Sequence, residues 1–158
     1  MLDTINGLPV HPLIVHAVVV LLPLAALGAV AIAVRPSWRT RYGNLVVAVA
    51  AVTTVLIPLA TSSGERLESR VGNPGRHAEL GDTHIWSALP LLAVAVALVW
   101  LHRRSAGSQA PSTGSALRLA VAVLAVLVAA ANLVQVYRVG ESGAQAVWHG
   151  TGTASRAR

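Results

Sequence analysis

Cysteine and lysine are both missing from this chain of 158 residues, and charged residues make up only 11% of it. Without cysteine, the protein can form no disulfide, no thiolate-bound metal cluster and no thioether-linked haem. In a typical soluble domain, about a quarter of all residues are charged. Because the chain is also 54% hydrophobic, its composition indicates an integral membrane protein surrounded by the lipid bilayer.

The net charge of +6 comes from arginine alone. Arginine without lysine, beside abundant alanine, valine and glycine, is typical of a GC-rich bacterial genome. We attribute the basic balance to that bias, so nucleic acid is not expected as a partner.

Four apolar runs are long enough to predict membrane-spanning helices, at about residues 12–34, 44–61, 85–101 and 116–137. A helix crosses the hydrocarbon core with about 20 residues, so the predicted fold class is an all-α membrane protein, an antiparallel four-transmembrane-helix bundle. The second and third runs are short, and we expect their helices to extend into the polar segment 62–83. Within that segment, Gly72-Asn73-Pro74-Gly75 predicts a turn.

The arginines that flank the first run predict how the bundle is oriented. None precedes this run, whereas Arg35, Arg39 and Arg41 follow it. By the positive-inside rule, both termini are extracytoplasmic in a multi-pass protein of the bacterial cytoplasmic membrane. The predicted division is an extracytoplasmic N-terminus over 1–11, a four-helix transmembrane domain over 12–139 and an extracytoplasmic tail over 140–158.

Histidines gather at the predicted outer ends of the spans, where five of the six fall: His11, His16, His77, His84 and His149. On one continuous helix, His77 and His84 would lie about 10 Å apart, too far to hold one ion together. His11 and His16 would point about 140° away from each other. No pair has the spacing of the HExxH zinc motif, so a shared site must be built between helices.

Haem b suits such a site, because its two axial imidazoles come from facing helices and no cysteine is needed. Each of His16 and His84 is followed by a Leu-Pro-Leu segment, at Pro23 and Pro90, which suggests two parallel repeats that face each other. We therefore expect His16 and His84 to bind the cofactor. This first hypothesis is a small membrane cytochrome that exchanges electrons with quinol or an external redox protein.

Two other hypotheses stay open. In the second, a copper, iron or zinc ion is held by His11, His77 and His149, with Glu65 orienting a ligand or accepting a proton. In the third, the histidines are structural and the protein is a non-catalytic membrane scaffold. The sequence decides neither whether the protein is an enzyme nor whether it assembles into a homo-oligomer.

The chain resembles an uncharacterised family of small four-span bacterial membrane proteins, domain of unknown function number 2231. The segments that carry the resemblance are GLPVHPLIVH, SGERLESRV, RHAELGDTH and VYRVGESGAQAVWHG. It covers about residues 7–150, and its most specific motif is HPxxVH at His11, Pro12 and His16. Some members are fused to or encoded beside redox modules such as Rieske-type iron–sulfur domains, which implies electron-transfer surroundings. The family has no established activity.

The predicted orientation can be tested by thiol labelling, with no background from native cysteine. Single cysteines at Ser37 and Ser112 should resist a membrane-impermeant thiol reagent in intact cells, while a cysteine at Thr153 should react. The reverse labelling pattern would invert the topology and put the histidines in the cytoplasm.

Overall fold

Four long helices dominate the computed structural model, which describes residues 4–5, 8–72, 75–106 and 113–148. The helices are α1 (Val10–Val34), α2 (Ser37–Val71), α3 (Arg76–Asp82), α4 (His84–Ala106) and α5 (Thr113–Trp148). A short antiparallel pair, β1 (Thr4–Ile5) and β2 (Leu8–Pro9), precedes them. Helices α1, α2 and α5, and the stretch through α3 and α4, are each long and apolar enough to cross a membrane. The predicted helical four-span membrane fold is confirmed.

Helix α1 begins at Val10, two residues before the predicted start at residue 12, so His11 lies inside the helix rather than in the N-terminal segment 1–11. Helix α2 begins at Ser37, well before the apolar run at 44. Both differences arise because hydropathy detects only the segment inside the hydrocarbon, whereas the helical hydrogen-bond ladder continues through polar residues at its ends.

The predicted turn between the second and third spans is confirmed. Helix α2 ends at Val71 and α3 begins at Arg76. Between them, Gly72 and Gly75 adopt positive φ angles of 94° and 60°, a conformation that favours glycine.

Helix α5 continues to Trp148 and so passes the boundary predicted at residue 139. The first part of the predicted C-terminal tail is therefore a helical extension of the last span. His149 and the rest of the tail lie outside the described residues.

The helices form a ring in which α1 and α4 lie on one diagonal and α2 and α5 on the other. Each member of the first diagonal contacts both members of the second. The short helix α3 packs on the ends of α2 and α5. Chain neighbours are therefore also neighbours in space, as expected of an antiparallel bundle.

Small residues let the helix backbones approach closely. A Cβ atom added to Gly28 would lie 2.9 Å from Cγ2 of Val46, and one added to Gly43 would lie 2.7 Å from Cγ2 of Val99. Membrane helices associate through van der Waals contact of this kind, because lipid tails are as apolar as the side chains.

Polar side chains inside the bundle bond to main-chain carbonyls. Asn132, 1% exposed, donates through Nδ2 to the oxygen of Ser87 at 2.8 Å, a bond between helices α5 and α4. Thr53 donates to the oxygen of Val49 at 2.7 Å within α2. These bonds satisfy groups that hydrocarbon cannot.

Arg39 caps the end of α1 from the start of α2. The oxygen of Ile32 would normally accept the amide of Pro36, but proline has no N–H. Instead, Nε of Arg39 donates to the oxygen of Ile32 at 2.7 Å, and Nη2 donates to the oxygen of Ala33 at 3.0 Å. The Arg39 side chain is buried, so the guanidinium replaces the missing donors.

We expect Arg39→Ala to lower the free energy of unfolding by about 1–3 kcal/mol, because it leaves a buried carbonyl without a donor. Thermal unfolding in detergent measures the change. Arg41→Ala is the matched control, since this arginine is exposed and its guanidinium lies over the ring of Tyr42, 5.4 Å from the centroid. Equal losses in the two variants would contradict the capping role.

Candidate functional site

A cavity of about 510 Å³ lies at the end of the bundle where α1 begins and α2 ends, here called the histidine end. Apolar side chains such as Val15, Ile57 and Val136 form much of its wall. The histidines and carboxylates that line it come from four helices: His11, His77, His84, Glu65, Glu68 and Asp82. Its volume lies in the range of cavities that bind small molecules and cofactors.

His11 is held against α2 in an arrangement that we call the first histidine seat. Its Nδ1 donates to the oxygen of Ala60 at 2.9 Å and lies 3.3 Å from Oγ of Ser63. A Cβ on Gly64 would lie 3.0 Å from Cε1 of the ring, so only glycine leaves the ring its full space. Because a carbonyl can only accept, the proton is on Nδ1 and the lone pair of Nε2 remains for a ligand.

His77 is held against α5 in the same way, in the second histidine seat. Its Nδ1 donates to the oxygen of Val139 at 3.2 Å and lies 3.3 Å from Oγ of Ser142. A Cβ on Gly143 would lie 3.1 Å from Cε1 of this ring. The tautomer is again the one that leaves Nε2 free to bind.

His84 is the third histidine of the cavity and differs from the other two. It is 5% exposed, and neither ring nitrogen has a hydrogen-bond partner among the described residues. Buried polar side chains nearly always have hydrogen-bond partners, so His84 is a candidate binding residue of this cavity.

The predicted pair of His16 and His84 is not brought together, because His16 is exposed and does not line the cavity. Its Nδ1 bonds to the oxygen of Pro12 in its own helix. The angle of about 140° between residues five apart explains this placement, since His11 on the same helix points into the cavity.

Glu65 and His102 lie at opposite ends of the bundle. Glu65 lines the cavity but is exposed, so its carboxylate lies at the rim. His102 is at the opposite end of the bundle, with Nε2 2.9 Å from Oγ1 of Thr40. In the described part of the chain, no three His, Asp or Glu side chains are placed to hold one metal ion.

The inward direction of His11 follows the buried face of α1, which the structure reveals and the sequence does not, because this helix is apolar on every side. Ile32, Ala25 and Val18 are buried and follow one another at intervals of seven residues. The next step leads to His11, whereas His16 is not in the series. Residues seven apart lie on nearly the same face of a helix.

Comparison with known proteins gives one match. A family model described as "Predicted membrane protein (DUF2231)" matches residues 7–155. No curated protein and no solved structure matches the chain.

Replacing His84 should separate a ligand-binding role from a structural one. We expect His84→Leu to leave the thermal stability of the ligand-free protein unchanged or higher, because a buried imidazole without partners is replaced by an apolar side chain. Asn132→Leu, the control, should lower stability because it removes the bond to Ser87. A loss for His84→Leu as large as for the control would show that His84 is structural.

Proposed function

The chain belongs to the DUF2231 family of predicted membrane proteins, and from that premise we propose that it is a redox protein which holds haem b in the cavity at the histidine end. The iron supplies one-electron chemistry by alternating between its ferric and ferrous states. The protein supplies the ligands, an apolar enclosure and access from one end of the bundle.

The observation that carries this proposal is His84, a buried imidazole whose two nitrogens face no partner in the described residues. It lines the same cavity as two histidines whose Nε2 atoms are free to bind. A buried imidazole without partners is costly in a membrane protein, and a ligand in this cavity would remove that cost for His84.

Haem fits this arrangement better than a single metal ion does. The histidines come from α1, α3 and α4, and the described residues hold no compact group of three candidate ligands. A porphyrin is wide enough to be reached from separate helices, and its iron needs only two imidazoles. The apolar wall suits the porphyrin faces, and the rim is open to water for the propionates.

Electron exchange is proposed to take place at the histidine end, with quinol or an external redox protein. A hydrocarbon core about 30 Å thick separates this end from His102. One haem at the histidine end therefore serves chemistry on a single side of the membrane. The carboxylates of Glu65, Glu68 and Asp82 lie around this cavity and favour the more positive, ferric state of the iron.

We expect detergent-purified protein to show the Soret band of haem b when oxidised and sharpened bands after reduction with dithionite. His102→Ala is the control and should leave both spectra unchanged, since this residue bonds to Thr40 at the other end. A colourless protein that carries stoichiometric copper, iron or zinc would replace haem with a metal ion. Purified protein that contains neither haem nor a metal ion would favour the hypothesis of a non-catalytic membrane scaffold.

A further inference from the structure

The two histidine seats are built to one plan. In each, an imidazole Nδ1 bonds to a main-chain oxygen of the neighbouring long helix, a serine lies three residues after that oxygen, and a glycine lies four residues after it. The serines also behave alike in the two seats. Ser63 in α2 and Ser142 in α5 each donate through Oγ to the main-chain oxygen that the histidine binds, at 2.9 Å and 2.8 Å.

The likeness extends along α2 and α5. Seven residues before the carbonyl of its seat, each helix buries a polar side chain, Thr53 in α2 and Asn132 in α5. Both helices bury small residues between this polar residue and the opposite end of the bundle, Ala50 in α2 and Ala129 in α5 among them. The sequences of α2 and α5 can therefore be aligned over these positions without an insertion or deletion.

The arrangement of the helices agrees with an internal two-fold repeat. One half is α1 and α2, and the other is α3, α4 and α5. Exchange of the halves places α1 on α4 and α2 on α5, and every contact between neighbours in the ring is preserved. The axis runs along the bundle, as for parallel repeats. These contacts pair His11 with His77, so the register predicted from the Leu-Pro-Leu segments, which paired His16 with His84, is not the one that the structure supports.

We propose that His11 and His77 are the axial ligand pair of the cofactor in this cavity. This inference rests on the proposed function, and it names the residues that bind the iron. The imidazoles of His11 and His77 come from opposite halves of the bundle and line one cavity in equivalent positions. A haem bound by two histidines needs one imidazole from each side. In each, a carbonyl on Nδ1 fixes the tautomer and raises the basicity of the ligand.

His84 has a different role, because it has no counterpart in the other half. It follows His77 by seven residues, and the residue that follows His11 by seven is Val18, an apolar side chain in the cavity wall. His84 therefore bonds to a polar group of the bound molecule on one side only, and it is a positioning residue rather than an iron ligand.

The first test exchanges ligands rather than removing them. His11→Met and His77→Met should each keep haem and raise its reduction potential, since methionine in place of an axial histidine has that effect. His16→Met is the matched control on α1 and should leave the potential unchanged. His11→Ala and His77→Ala should each lose haem, while His84→Leu should retain a six-coordinate spectrum with a lower affinity.

The second test changes the seats without touching an imidazole. Gly64→Ala and Gly143→Ala should each weaken haem binding by about 10–100-fold, the usual effect of disturbing a group that orients a metal ligand. Gly140→Ala is the control, because a Cβ at Gly140 meets nothing within 4 Å. Haem titration of the apoprotein measures all three.

Failure of the pairing and failure of the proposed function give different results. Wild-type protein that binds no haem overturns the proposed function, and the pairing with it. Haem that survives both His11→Ala and His77→Ala but is lost in His84→Leu or His16→Ala overturns the pairing alone. If the alanine variants do not fold, the haem reduction potentials of His11→Met and His77→Met test the pairing instead. Potentials unchanged from the wild type in both variants overturn it.

Discussion

Close approach of helix backbones at small residues is the constraint on which the rest of this structure depends. Lipid offers no hydrophobic drive between helices, so the bundle relies on van der Waals contact along buried stripes. At Gly43, helix α2 accommodates the side chain of Val99 from α4, and at Gly64 it accommodates the imidazole of His11 from α1. The first histidine seat is therefore an extension of the helix packing, as the second seat is at Gly143 on α5.

The second constraint is that polar groups inside a bilayer must find partners in the protein. Arg39 meets it by donating to the last carbonyls of α1, and the Nδ2 group of Asn132 meets it by bonding to α4. His84 does not meet it within the described residues. In the part of the chain that the structure describes, Asn132 leaves only its Oδ1 without a partner, whereas His84 leaves both ring nitrogens, so His84 is the stronger candidate for contact with a molecule in the cavity.

The inferred internal repeat would explain why the site has both a matched pair and a single histidine. The two halves present equivalent seats, so the imidazoles of His11 and His77 approach the cavity alike. The halves differ one step deeper, where His84 faces a cavity that Val18 lines from the other half. In the proposed haem site, the matched pair would suit two ligands of one iron, and the single His84 would give the cavity a preferred side for a polar group.

Local information determined much of the fold. Apolar runs identified the four spans, the glycines at 72 and 75 identified the turn, and the spacing of His11 and His16 required them to diverge. Which of the two faces the cavity was decided only by the packing of α1 on α2, since the spacing fixes an angle between side chains but not the direction of either. The seat of His77 depends on α5, far along the chain. Such long-range contacts form only when the helices assemble.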